Sequence, residues 1–147
     1  MRPSKTEYFI GIAEAVSLRS HDTQTKVGGV LVKNKDQAII ATAFNGFIKG
    51  APDDILPTTR PEKYEFITHC EANIISHCAR HGISSLDTTL YITLSPCTQC
   101  IRQLYNAGIT SIVFRDEYRD YNDLFFLPDL KVSQGADINS IFLSPRS

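Results

Sequence analysis

His69-Cys70-Glu71 and, further along, Pro96-Cys97-Thr98-Gln99-Cys100 together offer one imidazole, two thiols and a carboxylate. One nitrogen and two sulfur donors suit a tetrahedral zinc ion and leave its fourth position open, which separates a catalytic zinc from a closed structural one. Two thiolates and a neutral histidine make the site formally neutral, and water at the open position is acidified. Glu71 is not needed as a ligand. Its carboxylate suits proton transfer beside the metal, where a group acting first as base and then as acid needs a pKa near working pH.

Each piece alone has a plainer reading. A lone C-x-x-C suits a thiol–disulfide pair or half of a zinc ribbon, and Glu71 suits the first turn of any helix. The joint occurrence of these residues, with Pro96 and in this order, favours catalytic zinc. His77 and His81 are four apart and would share a helix face near Cys78, which is metal-ligand spacing, but no matching cysteine pair remains. Cys70 and Cys78 read as small buried hydrophobes.

The elements that must position these residues follow from periodicity. Phe9, Ile12, Ala13 and Val16 predict an amphipathic helix over 4–19. Runs at 27–32 and 38–44, separated by Lys33-Asn34-Lys35-Asp36, predict a hairpin. Residues 46–68 hold Gly46, Gly50, Pro52, Pro57 and Pro61 and predict a long irregular loop, a common place for function. A helix over 70–80 capped near Gly82, a strand over 88–94, a helix over 97–107 and a strand over 110–114 follow. A short helix near 121–127 and a strand near 138–143 complete the reading. Both halves of the motif thus fall at helix starts, whose positive ends favour thiolates, and Pro96 suits a first turn. Strands alternating with helices predict parallel pairing, and the hairpin adds an antiparallel pair. The class is α/β, a mixed sheet with helices on both faces.

The 147 residues fit one domain, 1–147, with an ordinary core: 42% of residues are hydrophobic and 21% charged. Net charge −1 provides no electrostatic footprint for long nucleic acid. No apolar run suggests a signal peptide or membrane span, and the cysteine usage suits a reduced, cytoplasmic protein.

H-x-E followed by P-C-x-x-C is the signature of the zinc nucleobase deaminases. With Phe44-Asn45-Gly46-Phe47 and His69-Cys70-Glu71-Ala72-Asn73-Ile74, the chain resembles the deoxycytidylate (dCMP) deaminase branch of the cytidine deaminase superfamily, from the first helix through Tyr118. The resemblance implies a three-layer α/β/α sandwich around a five-stranded mixed sheet. It implies hydrolysis of dCMP to dUMP and ammonia, which supplies dUMP for thymidylate synthesis. It also implies a homo-hexamer activated by dCTP with Mg²⁺ and inhibited by dTTP. His69, Cys97 and Cys100 then match the zinc ligands and Glu71 the proton shuttle. Asn45, Cys70, Asn73, Ser95 and Tyr118 match nucleotide contacts. Lys26, Phe44, Asn45, Gly46, Lys49 and Arg80 match an effector site, with Phe44 where tyrosine is more usual. Asn45-Gly46 is equally a good turn dipeptide, and Lys26, Lys49, Arg60 and Lys63 are open between solvated charges and phosphate ligands. Arg80 is open between helix-end pairing, an effector and a subunit contact. A tRNA adenosine deaminase and a free (deoxy)cytidine deaminase remain as alternatives, the first disfavoured by the lack of basic charge. A non-catalytic zinc module and a redox protein are the alternatives of other classes.

Overall fold

A computed structural model describes residues 2–118 and 127–135. In chain order the elements are α1 (Lys5–Ser17), β1 (Gly28–Lys33), β2 (Ile39–Phe44), a 3-10 turn (Glu62–Glu65), α2 (Cys70–His81), β3 (Thr88–Leu94), α3 (Thr98–Asn106), β4 (Ile109–Asp116) and β5 (Lys131–Gln134).

The first helix begins where Ser4 and Glu7 form a capping box. The Ser4 hydroxyl accepts from the Glu7 amide, and the Glu7 carboxylate accepts from the Ser4 amide, each at 3.1 Å. Its fully buried face is Phe9, Ile10, Ala13, Glu14 and Ser17 rather than the expected Phe9, Ile12, Ala13 and Val16. The stripe is rotated because two polar residues are accommodated inside. Glu14 meets Arg115 of β4 at 2.9 Å, and the Ser17 hydroxyl donates to the Glu14 carbonyl at 2.6 Å.

The sheet order is β2-β1-β3-β4-β5. β1 runs antiparallel to both β2 and β3, while β3, β4 and β5 are parallel to one another. Along β1, Val30 and Val32 pack toward α1 and Leu31 toward the opposite layer; along β3, Tyr91 faces α1 while Leu90 and Ile92 face away. Cys70, Ile74 and Cys78 of α2, with Ile101 and Leu104 of α3, cover that second face. The central strands are therefore buried on both sides, as mixed α/β sheets require. The molecule has three layers: α1, the five-stranded sheet, then α2 and α3.

Hairpin, helices and the strands through β4 lie within a few residues of their expected bounds. β5, Lys131–Gln134, is a strand the sequence reading did not anticipate, four largely exposed residues on the sheet edge. The strand expected near 138–143 and residues 121–126 of the short helix lie outside the described residues. Pro96 precedes the Cys97 cap of α3 and is not in its first turn. Among the described residues no helix is long and apolar enough to cross a membrane.

Candidate active site

Two helix starts carry the motif residues. His69 is the N-cap of α2 and Cys97 the N-cap of α3, and neither side chain caps its own helix. One ligand atom each from His69, Glu71 and Cys100 lie within 4.8 Å of one another, the only such group of three among the described residues. His69 Nδ1 is 3.7 Å from Cys100 Sγ. Cys97 is not one of these three, but it interacts with Cys100. Burial pushes the Cys100 thiol far up, and the charge and hydrogen bond of Glu71 and the presence of Cys97 push it the same way. An imidazole and two thiols beside a carboxylate form a donor set that a zinc ion fits. Its ligands would be His69, Cys97 and Cys100.

The pocket is lined by His69, Cys70 and Glu71 at the start of α2, by Val27, Asn45, Ile67, Leu94 and Ser95, and by Asp22, Thr25, Arg60, Lys63, Tyr64 and Tyr118. Asn45 is buried with its amide engaged inside the chain. Its Oδ1 accepts from the Ser20 hydroxyl at 2.6 Å and the Val27 amide at 2.8 Å, and its Nδ2 donates to the Thr25 carbonyl at 2.8 Å. In this arrangement it buttresses the pocket wall. The Ser95 hydroxyl accepts from the Tyr118 amide at 2.8 Å and so seats that tyrosine. Cys70 is buried, its Sγ 3.3 Å from the Ala43 carbonyl, and burial raises its thiol pKa.

The four cations considered from sequence have separate fates. Lys63 is buried and paired with Asp22 at 2.7 Å. Lys26 donates to the Ser20 carbonyl at 2.8 Å and does not line the pocket. Lys49 lines a different groove. Arg60 lies at the active pocket, held entirely by neutral acceptors: Nε donates to Tyr64 Oη at 2.9 Å, Nη1 to Gln24 Oε1 at 3.2 Å, and Nη2 to Thr25 Oγ1 at 2.7 Å and Tyr118 Oη at 3.2 Å. Among the described residues no carboxylate pairs with it.

The second groove, about 660 Å³, gathers Phe44, Lys49, Asn73 and Arg80 with His21 and His77. Asn73 donates to the Phe44 carbonyl at 2.8 Å and does not line the active pocket. Of the residues assigned to an effector, Phe44, Lys49 and Arg80 line the groove, Asn45 lines the first pocket, and Lys26 and Gly46 line neither. The His77 and His81 rings are 4.5 Å apart, and burial together with His81 and Lys49 lowers the His77 pKa. They gather no third ligand among the described residues. Sequence reasoning missed Asp22, Thr25 and Tyr64 in the pocket and His21 in the groove, since none carries a motif of its own.

Residues 3–116 match the family model described as the cytidine and deoxycytidylate deaminase zinc-binding region. The chain belongs to the cytidine and deoxycytidylate deaminase family. It is 31% identical over 124 residues to the human deoxycytidylate deaminase, covering 80% of this chain and 68% of that one. Against the deoxycytidylate deaminase of Mycobacterium phage D29 it is 31% identical over 129 residues, covering 79% of this chain and 98% of the relative. The dCMP deaminase of cyanophage S-TIM5, solved in complex with dCMP and dUMP, superposes with a TM-score of 0.69 at 27% identity, covering 92% of this chain and 99% of that one.

Proposed function

We propose that the protein hydrolyses dCMP to dUMP and ammonia. The observation that carries this reading is the guanidinium of Arg60, which has no carboxylate partner among the described residues and lines the same pocket as His69 and Glu71 of the cluster. A planar fork with donors and no carboxylate partner is suited to a phosphate. The cyanophage enzyme's complex with dCMP and dUMP supports the same substrate.

A zinc ion held by His69, Cys97 and Cys100 would supply Lewis acidity and lower the pKa of a water. The rest is done by side chains. Glu71 takes a proton from the attacking water as its oxygen bonds to C4 of the cytosine ring, and passes that proton to N3. The second water proton goes to the exocyclic amine as the C4–N4 bond breaks, leaving a uracil ring and ammonia. Val27, Ile67 and Leu94 shield the base from bulk water, while Arg60, with Tyr64 and Tyr118, takes the 5′-phosphate at the mouth. Asn45 and Ser95 hold the walls between them.

Ammonia release from dCMP and from deoxycytidine tests this directly, with Arg60→Ala alongside. Wild type should prefer dCMP. Arg60→Ala should raise KM for dCMP by about 10- to 100-fold, the worth of a charged hydrogen-bonding pair, and leave deoxycytidine turnover unchanged. Equal turnover of both by wild type would make the protein a nucleoside deaminase; activity only on a tRNA stem-loop would make it an RNA deaminase.

Regulation belongs to the second groove on this reading. Phe44, Lys49 and Arg80 combine a stacking surface with two cations, which suits dCTP with Mg²⁺ as activator and dTTP as inhibitor. A cytoplasmic homo-hexamer completes the proposal, and sedimentation with and without dCTP checks its assembly.

A further inference from the structure

Between α1 and β1 the run Ser20-His21-Asp22 sends three side chains to three places. Ser20 bonds Asn45 and Asp22 pairs with Lys63, both on the active pocket. His21 turns the other way, onto the segment that follows β2. Its ring stacks on Phe47 with centroids 4.6 Å apart and an interplanar angle of 24°. Nδ1 accepts from the Phe47 amide at 3.2 Å, and Nε2 lies 3.0 Å from Asp53 Oδ1. An amide can only donate, so Nδ1 presents a lone pair and the ring proton sits on Nε2, toward the carboxylate.

The ring also lies directly against Gly46. A Cβ there would collide with His21 Nδ1, although Gly46 itself is not in the left-handed region. This glycine provides room for an imidazole. Gly46 in turn exchanges two backbone hydrogen bonds with Thr68: its amide donates to the Thr68 carbonyl at 3.1 Å, and the Thr68 amide donates back at 2.8 Å. Thr68 is covalently joined to His69, the cap of α2, whose first turn carries Glu71. From His21 the path to the metal-site histidine thus consists of one stacked ring and one hydrogen bond to Phe47, the peptide bond between Phe47 and Gly46, one two-bond bridge and the peptide bond between Thr68 and His69.

We infer that His21 is a positioning residue: by fixing Gly46 and Phe47 it holds the Thr68 backbone and so sets where His69 presents its ring. Its Nδ1 acceptor is the working atom; Asp53, largely exposed, only orients the ring. The inference rests on the proposal that His69 holds zinc, and it extends to the metal the general dependence of ligand orientation on groups one layer out.

The test is zinc affinity by chelator competition, with kcat and KM for dCMP measured on the same samples. An asparagine at 21 can place its Oδ1 near the Nδ1 position and accept from Phe47, whereas a glutamine reaches the Nε2 position instead. His21→Ala and His21→Gln should weaken zinc binding by roughly 10-fold and lower kcat with a smaller change in KM. His21→Asn should recover most of both, and Asp53→Asn should stay within about twofold of wild type. Unchanged zinc affinity and kcat in His21→Ala, with only a lower thermal midpoint, would reduce His21 to a packing residue. Should the alanine variant not fold, the asparagine and glutamine variants still decide, and equal zinc affinity in the two would overturn the proposal. A wild type that binds zinc but leaves dCMP untouched sinks the substrate reading alone, because the affinity series still judges His21. A wild type that binds no zinc sinks both.

Discussion

Glu71 is buried beside Cys100 and His69 and lines the same pocket as the exposed Tyr118. Its proposed work is proton transfer, so Glu71→Gln keeps the shape and removes the chemistry. That variant should fold and retain its metal, while kcat for deamination falls by a factor on the order of 10²–10⁴; metal analysis and single-turnover assays check the two halves separately. Asp22 makes a second prediction at this scale. Burial works to raise its pKa, but the hydrogen bond from Lys63 and the amides of Thr25 and Gln24 outweigh it and hold the carboxyl below 3.8. A depressed carboxyl stabilises the fold above the unfolded pKa, and that contribution fades as pH falls through the folded value. Lys63→Met should therefore cost about 3–5 kcal/mol at neutral pH, where it strands a buried charge. The gap to wild type should narrow below 3.8. Urea unfolding at the two pH values measures it; a gap independent of pH would mean that Lys63 contributes packing alone.

At the scale of elements, the site depends on how closely α1, the sheet and the two capped helices approach. A Cβ at Gly28 of β1 would run into backbone atoms of Ala13 and Ser17 on α1. None of these is a flexible side-chain end, so Gly28→Ala must lift the helix from the sheet. It should destabilise the protein by about 1–3 kcal/mol in urea unfolding while leaving zinc content unchanged. The elements that were legible beforehand are those whose burial is lopsided or total. β3 is buried along nearly its whole length and reads as a continuous β-rich run, and α2 ends at Gly82 with φ 65°, a left-handed cap that glycine adopts without strain. β5 was not legible. Lys131-Val132-Ser133-Gln134 has little apolar pattern, and its strand character comes from pairing with β4.

At the scale of the whole molecule, two helix starts that are distant in sequence supply one site from the same layer, so a metal bridging them would tie α2 to α3. Removing zinc with a strong chelator should lower the thermal midpoint by on the order of 10 °C, and adding zinc back should restore it, since a ligand present at about 1,000 times its Kd adds about 4 kcal/mol. A midpoint indifferent to chelation would mean that the fold does not feel the metal. Residue types, their order and local periodicity were enough for the family, the α/β class and the helix starts carrying His69 and Cys97, because these depend on neighbours within a turn or a strand. Periodicity was blind to Glu14, a carboxylate on the buried face of α1, because its partner Arg115 comes from β4. Only the tertiary structure put Arg60 on the first pocket, Lys49 in the second groove and Lys63 against Asp22, and only it separated the two pockets and put His21 against Gly46. Those outcomes rest on contacts such as Arg60 with Tyr118, 58 residues apart. Such contacts form only once the sheet has brought remote segments together, and no pattern of nearby residues encodes them.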